Sequence, residues 1–286
     1  METGSLAKRS LNFPLTRIII GIIVVCGIVG IGQIITGTLL KLTSLDKDID
    51  KLIIGAVTAI LSILSYILLF RKYENRDITE LSAKKLGRNL IVGVLLGVFL
   101  QALTIGVIYL KGGFSILSVN QDLYLLLPLG VAFTTAIFEE IVFRGIIFRI
   151  FQEKLGSYIA LVISALIFGA MHFSNPHSSV LLALGVAVSG LLLGAAYMYS
   201  ENLWFPIAIH FAWKYTQSGI FGAILSGNKV GESLLITKIK GAAWLTGGKF
   251  GPEGSVQAIL IWLAATIVLL IICNKQFKIY KPFWKL

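Results

Sequence analysis

The 286-residue chain is 56% hydrophobic and only 14% charged, with a mean hydropathy of +0.87. A soluble domain carries about 25% charged residues, and one core could not hide apolar runs this long. The net charge of +11 is spread over separate loops without a single patch, which argues against nucleic-acid binding and for a charge pattern set by a membrane.

Windows of about 19 residues, enough to cross a ~30 Å hydrocarbon layer, predict an all-α integral membrane protein with eight spans. The first, Leu15–Leu40, is too long for the apolar part of a signal peptide and reads as a membrane helix. Leu52–Phe70 and Leu90–Leu110 follow, the latter with Gly93-x-x-x-Gly97, a spacing that lets helices approach closely. The fourth, Leu123–Phe151, is long enough to project beyond the bilayer and carries Glu139, Glu140 and Arg144. After a polar break at Gln152–Ser157 come the short fifth span, Tyr158–His172, and the sixth, Val180–Tyr199, with Gly190-x-x-x-Gly194. Trp204–Leu225 is the seventh span and Ser255–Cys273 the eighth, and Tyr197, Tyr199 and Trp204 bracket a short connection as interfacial aromatics do. The one long loop, Ser226–Gly254, is glycine-rich and ends in Gly247–Gly254, a flap over one face of the bundle. Cys26 and Cys273 lie in apolar spans and read as small core residues.

The chain divides into helices one to three (1–122), a core of helices four to seven (123–225), and the loop with the last helix (226–286). An even number of spans puts both termini on one side. Lys and Arg then split 16 to 8 in favour of that side, so the positive-inside bias places both termini in the cytoplasm.

Charged side chains at bilayer depth are costly, and their presence marks function. Glu140 and Arg144, four apart, share a helix face and can pair, whereas Glu139 points about 100° away and has no partner at this spacing. Such a carboxylate suits a general base. His172 is as far from the midpoint of Leu155–Gly156 as Glu139 is, so a hairpin turning there brings the two level. His210 and Lys214 share a face of the seventh span. His210 lies roughly 10–13 Å from the preceding connection by helical rise, so an offset or kink is needed to bring it level with Glu139. His177 reads as a surface residue, and Asp122, Lys111 and Gln101 as residues near helix ends without a functional role. A carboxylate and two imidazoles on three helices suit activation of water for attack on a carbonyl.

At these residues the sequence resembles the CAAX protease and bacteriocin-processing (CPBP, or Abi) family of intramembrane peptidases, which includes the prenyl-protein endopeptidases. The family pattern E-E-x-x-x-R, F-x-x-x-H and H-x-x-x-N/D appears as Glu139-Glu140-x-x-x-Arg144, Phe168-x-x-x-His172 and His210-x-x-x-Lys214. The resemblance covers roughly Leu123–Leu225, and Gly247–Gly254 looks like a segment of bacterial members. It implies an eight-helix bundle in a bacterial plasma membrane, with Glu139 and His172 activating water and His210 stabilising the oxyanion or ligating a metal. Glu140 and Arg144 would support them. Zn²⁺ held by His172, His210 and Glu139 and a metal-independent mechanism both stay open.

Lys214 departs from the pattern. Neutral, it would donate a hydrogen bond to the oxyanion; charged, it would pair with Glu139, blunt the base and repel a cation. The substrate implied is a membrane-associated peptide or protein, lipid-modified or leader-bearing. Two competing expectations are a catalytically impaired relative acting as an immunity, scaffold or regulatory protein, and a transporter, for which no inverted repeat speaks.

Overall fold

The computed structural model describes residues 11–121 and 125–285. Asp122, the start of the fourth span at Leu123 and the N-terminal basic residues Lys8 and Arg9 lie outside them. Helix α1 spans Pro14–Leu40, α2 Lys47–Tyr73 and α3 Leu86–Leu110. Helix α4, Leu126–Glu140, runs through a π-helical turn, Ile141–Phe148, into α5, Arg149–Met171. Helix α6 is Val180–Ser200, α7 is Trp204–Tyr215 with a π-helical extension Thr216–Ile220, and α8 is Val256–Lys275.

Local chemistry sets the ends. Pro14 opens α1, where its missing N–H costs nothing. The Asp46 carboxylate accepts from Asp48 N at the start of α2, whose last turn carries Arg71 and Lys72, each charge matching the helix dipole. Ser179 and Ser255 cap α6 and α8 in the same way.

Within α5, Gly156 adopts φ 76° and ψ 171°, a backbone region open to glycine and costly for other residues. The chain reverses there. Ser164 Oγ donates to Phe143 O at 3.1 Å and the Phe143 and Phe168 rings meet edge to face at 4.9 Å. The C-terminal segment seals the turn: Ser157 N donates to Tyr280 O and Tyr280 N to Ser157 Oγ, both at 3.0 Å.

Six helices are long and apolar enough to cross a membrane, one of them the 49-residue Leu126–Ser174. Folding of that stretch at Gly156 yields two rods. Helix α7 with its extension forms one more, shorter than Trp204–Leu225, because at Gly222 (φ 61°) the chain turns away. The outer surface is apolar: Ile19, Ile23, Ile31 and Ile34 of α1, Leu68 of α2 and Leu260 and Ile267 of α8 are exposed. The chain is an integral, multi-pass membrane protein, and this surface faces lipid.

The bundle also carries a small antiparallel sheet, β1 (Phe114–Val119) with β2 (Leu235–Ile239), paired from Phe114–Ile239 to Val119–Leu235 with a bulge at Ile116/Ser118. The long loop is therefore largely ordered, holding β2, a one-turn helix at Ala243–Thr246 and a 3-10 turn at Pro252–Gly254. Helix α3 packs on α7, α2 on α4, α4 on α7, α5 on α6 and α6 on α8. Both glycine pairs serve as contact points. A Cβ on Gly97 would lie 2.4 Å from Ile209 O, and one on Gly194 would lie 2.4 Å from Leu161 Cδ1. Cys26 and Cys273 are free thiols, half-buried and buried.

At the end that holds both described termini, an ion network ties α1, α2 and α5 together. Glu74 accepts from Arg149 Nη1 at 2.9 Å, Arg76 Nε at 2.6 Å and Arg17 Nε at 3.0 Å, while Glu80 accepts from Arg76 and the Tyr66 hydroxyl. Burial disfavours the charged Glu74 carboxylate, but its bonds to Arg149, Arg76 and Arg17 outweigh that and hold it below the usual range. Its stabilisation is therefore complete above its ordinary value of 4.5 and lost as pH falls through the lower folded value. Glu74→Gln should cost about 3 kcal/mol of stability at neutral pH, since it strands buried guanidinium charge. Unfolding followed against pH should show the gap between wild type and variant closing on acidification.

Candidate active site

The bundle brings α4, α5 and α7 together around one charged cluster. Glu140 and Arg144 are wholly buried and paired, Arg144 Nη1 donating to Glu140 Oε1 at 2.9 Å. Arg144 Nη2 donates to Gly190 O at 3.0 Å, and its guanidinium lies 4.7 Å from the centre of the Phe168 ring. A Cβ on Gly190 would lie 3.0 Å from Ala165 Cα. The small residue of the sixth span thus brings α5 close while its carbonyl receives the arginine.

His210 Nδ1 lies 2.8 Å from the same oxygen, Glu140 Oε1. An ionised carboxylate only accepts, so Nδ1–H donates and the lone pair is on Nε2. That nitrogen is 3.5 Å from Glu139 Oε2, too far for a direct bond. His172 has the same tautomer for a different reason: its Nδ1 lies 2.9 Å from Phe168 O, and a carbonyl only accepts. Phe168 holds both rings, with centroids 4.6 Å from His172 and 6.1 Å from His210.

Glu139 is not the partnerless carboxylate that helix spacing predicts. Lys214 Nζ donates to its two oxygens at 3.2 and 3.3 Å, across α4 and α7. The i, i+4 rule sees partners on one helix only. Glu140, in turn, orients His210 as well as compensating Arg144. His172 and Glu139 lie close enough for their charges to act on each other, with no direct hydrogen bond between them. The π-helical turn after Glu140 takes more residues per turn and shortens the climb to Gly156 by a small part of the offset, and His210 Nε2 comes within 3.5 Å of Glu139 Oε2.

A cavity of about 50 Å³ opens between His172, His210 and Lys214, with Ser189, Trp213 and Trp262 on its wall. A site needs about 10–15 Å³ of such volume for one water, so a few fit. Two residues of the long loop, Ser226 and Glu253, complete the lining. Glu253 is 5% exposed, and it accepts from Ser226 N at 2.7 Å, from Ser226 Oγ and from Gln217 Nε2.

Gln217 accepts at 3.1 Å from Gln101, which lies well inside α3 and is fully buried. Gln101 is thus no helix-end residue: α3 begins at Leu86 and carries it into the interior of the bundle. Lys111 caps α3 and His177 is exposed, as expected. Sequence reasoning missed Glu253, Gln217 and Ser226. The available signal was the glycine density before Glu253: Gly247, Gly248 and Gly251 all have positive φ, and a Cβ on Gly251 would lie 2.3 Å from Ile224 O.

The donor set does not fit Zn²⁺. Among the described residues no three His, Cys, Asp or Glu side chains are grouped to hold a metal ion. The Lys214 ammonium lies against both oxygens of Glu139, where a cation would have to bind.

The cavity wall is largely apolar, and His172, His210, Lys214 and Glu253 bring polar groups to it inside the bundle. Residues 121–216 match the family model of type II CAAX prenyl endopeptidases (Rce1-like). This third of the chain holds Glu139, Glu140, Arg144, His172, His210 and Lys214. Over 74 residues the chain is 36% identical to the "Putative membrane peptidase YdiL" of Bacillus subtilis (strain 168), a match spanning 26% of this chain and 28% of that one. No solved structure matches. The matched segment is similar to Rce1-like membrane peptidases, and the chain's alignment spans little more than a quarter of the curated relative's length.

Removing the guanidinium should expose the cost of the Glu140 charge. Arg144→Met is expected to lose about 3–5 kcal/mol of stability, and Arg144→Met with Glu140→Gln distinctly less. Unfolding of the purified single and double variants checks this.

Proposed function

We propose that the chain is an intramembrane endopeptidase that hydrolyses a peptide bond of a membrane-associated substrate without a metal ion. The observation that carries this reading is the pair of imidazoles whose Nε2 lone pairs flank the cavity beside Glu139. A water molecule there donates to Glu139 and to one Nε2. Its proton passes to Glu139 as the oxygen attacks the carbonyl carbon, and N–H groups of Lys214 stabilise the oxyanion. The tetrahedral intermediate collapses as the C–N bond breaks and the proton moves from Glu139 to the departing amine. Glu140 fixes the tautomer of His210 throughout, and Arg144 balances its charge.

The likeness to type II CAAX prenyl endopeptidases supports a lipid-modified C-terminal peptide as substrate, and a leader-bearing peptide suits the same chamber. The basic loops support termini in the cytoplasm of a bacterial plasma membrane.

Glu139→Gln in lipid nanodiscs is expected to lower cleavage of a farnesylated peptide about 10³-fold, as loss of a general base does. A chelator should leave wild-type turnover unchanged. Undiminished turnover by Glu139→Gln would overturn the reading.

The Lys214–Glu139 contact also supports a second reading, a chain whose base is held by its neighbour and which acts as a non-catalytic membrane partner. On that reading wild type is inactive and Lys214→Asn creates or strongly raises activity. On the first, Lys214→Asn lowers kcat by about 10- to 100-fold through the lost oxyanion donor.

A further inference from the structure

The mechanism leaves one buried carboxylate of the cavity unused. Glu253 comes from the far end of the chain, yet its side chain shares the cavity wall with Lys214 and acts on it electrostatically. Its place is built rather than incidental. Ser226 donates twice to one oxygen, Gln217 donates to the other, and Gln217 is itself held by Gln101 and by its bond to Ile224 O at 2.7 Å. Three positive-φ glycines, Gly247, Gly248 and Gly251, shape the segment just before Glu253.

Lys214 has a four-carbon flexible stem and one ammonium, and now sits on Glu139. While it stays there, Glu139 is a weak acceptor for a proton from water.

Resting on the peptidase reading, we infer that Glu253 is a positioning residue: it is the alternative ion-pair partner to which Lys214 turns when Glu139 accepts the proton. The ammonium then stays compensated, still faces the cavity and can donate to the oxyanion. Burial pushes the Glu253 carboxyl above the usual range, with Ser226, Gln217 and the charge of Lys214 opposing that shift, so approach of the ammonium favours its ionised form. A plain loop anchor would need the three hydrogen bonds but no cation within reach.

Two double-variant cycles in nanodiscs test this. In melting temperature, Glu253→Gln should cost about 2–4 °C more in a Glu139→Gln background, where Lys214 has only Glu253 left, than in wild type. The same cost in both backgrounds would overturn the inference. Should Glu139→Gln not fold, Lys214→Met serves in its place, and there Glu253→Gln should cost less than in wild type; an equal cost overturns the inference. In cleavage, Glu253→Gln should lower kcat about tenfold with KM within about twofold, and the loss should shrink to under about twofold in Lys214→Asn. An undiminished loss in Lys214→Asn means a structural anchor only. If no variant and no wild type cleaves, the peptidase reading fails, and the melting cycle still decides the inference.

Discussion

One carboxylate oxygen, Glu140 Oε1, receives both the Arg144 guanidinium at 2.9 Å and the His210 imidazole at 2.8 Å. All three side chains are buried at lipid depth. There an unpaired charge costs several kcal/mol and a misdirected ring has no water to rescue it. Shared acceptance compensates the charge and gives His210 a single tautomer, while Glu140 Oε2 and Arg144 Nε stay buried without a hydrogen-bond partner. The histidine's outer nitrogen follows from that contact and lies 3.5 Å from Glu139 Oε2.

The rest of the bundle holds this contact at short range. Helix α3 presses glycine backbone onto α7 beside His210, and α6 offers Gly190 both as a close approach to α5 and as a carbonyl for Arg144. The reversal at Gly156 returns Phe168 and His172 to the level of the α4 carboxylates. At the other end, the Arg17–Glu74–Arg149 network fixes α1 and α2 against the start of α5. Without a hydrophobic drive between helices in lipid, small-residue packing and polar pairs are what set the geometry.

The parts legible in the sequence are those whose cause is local or periodic. The apolar windows located the rods, the i, i+4 spacing located Glu140 with Arg144, and the equal distances of Glu139 and His172 from the midpoint of Leu155–Gly156 pointed to a reversal there, where Gly156 turns the chain. What stayed hidden depends on partners far along the chain. Glu139 meets Lys214 75 residues away, and Arg17 meets Glu74 57 residues away. Glu253 meets Ser226 across 27 residues of loop with no periodicity to read. The sheet was hidden for the same reason, its two short strands lying on either side of the family segment. Gln101 looked peripheral because hydropathy alone does not show which helix face turns inward.

The tautomer of His210 tests the central claim most directly. Nitrogen NMR on histidine-labelled protein in lipid, with His210 assigned through His210→Gln, reads which ring nitrogen carries the proton. The expected result is protonation at Nδ1 with a bare Nε2, and loss of that preference in Glu140→Gln. A proton resting on Nε2, or a spectrum indifferent to Glu140→Gln, would contradict the account.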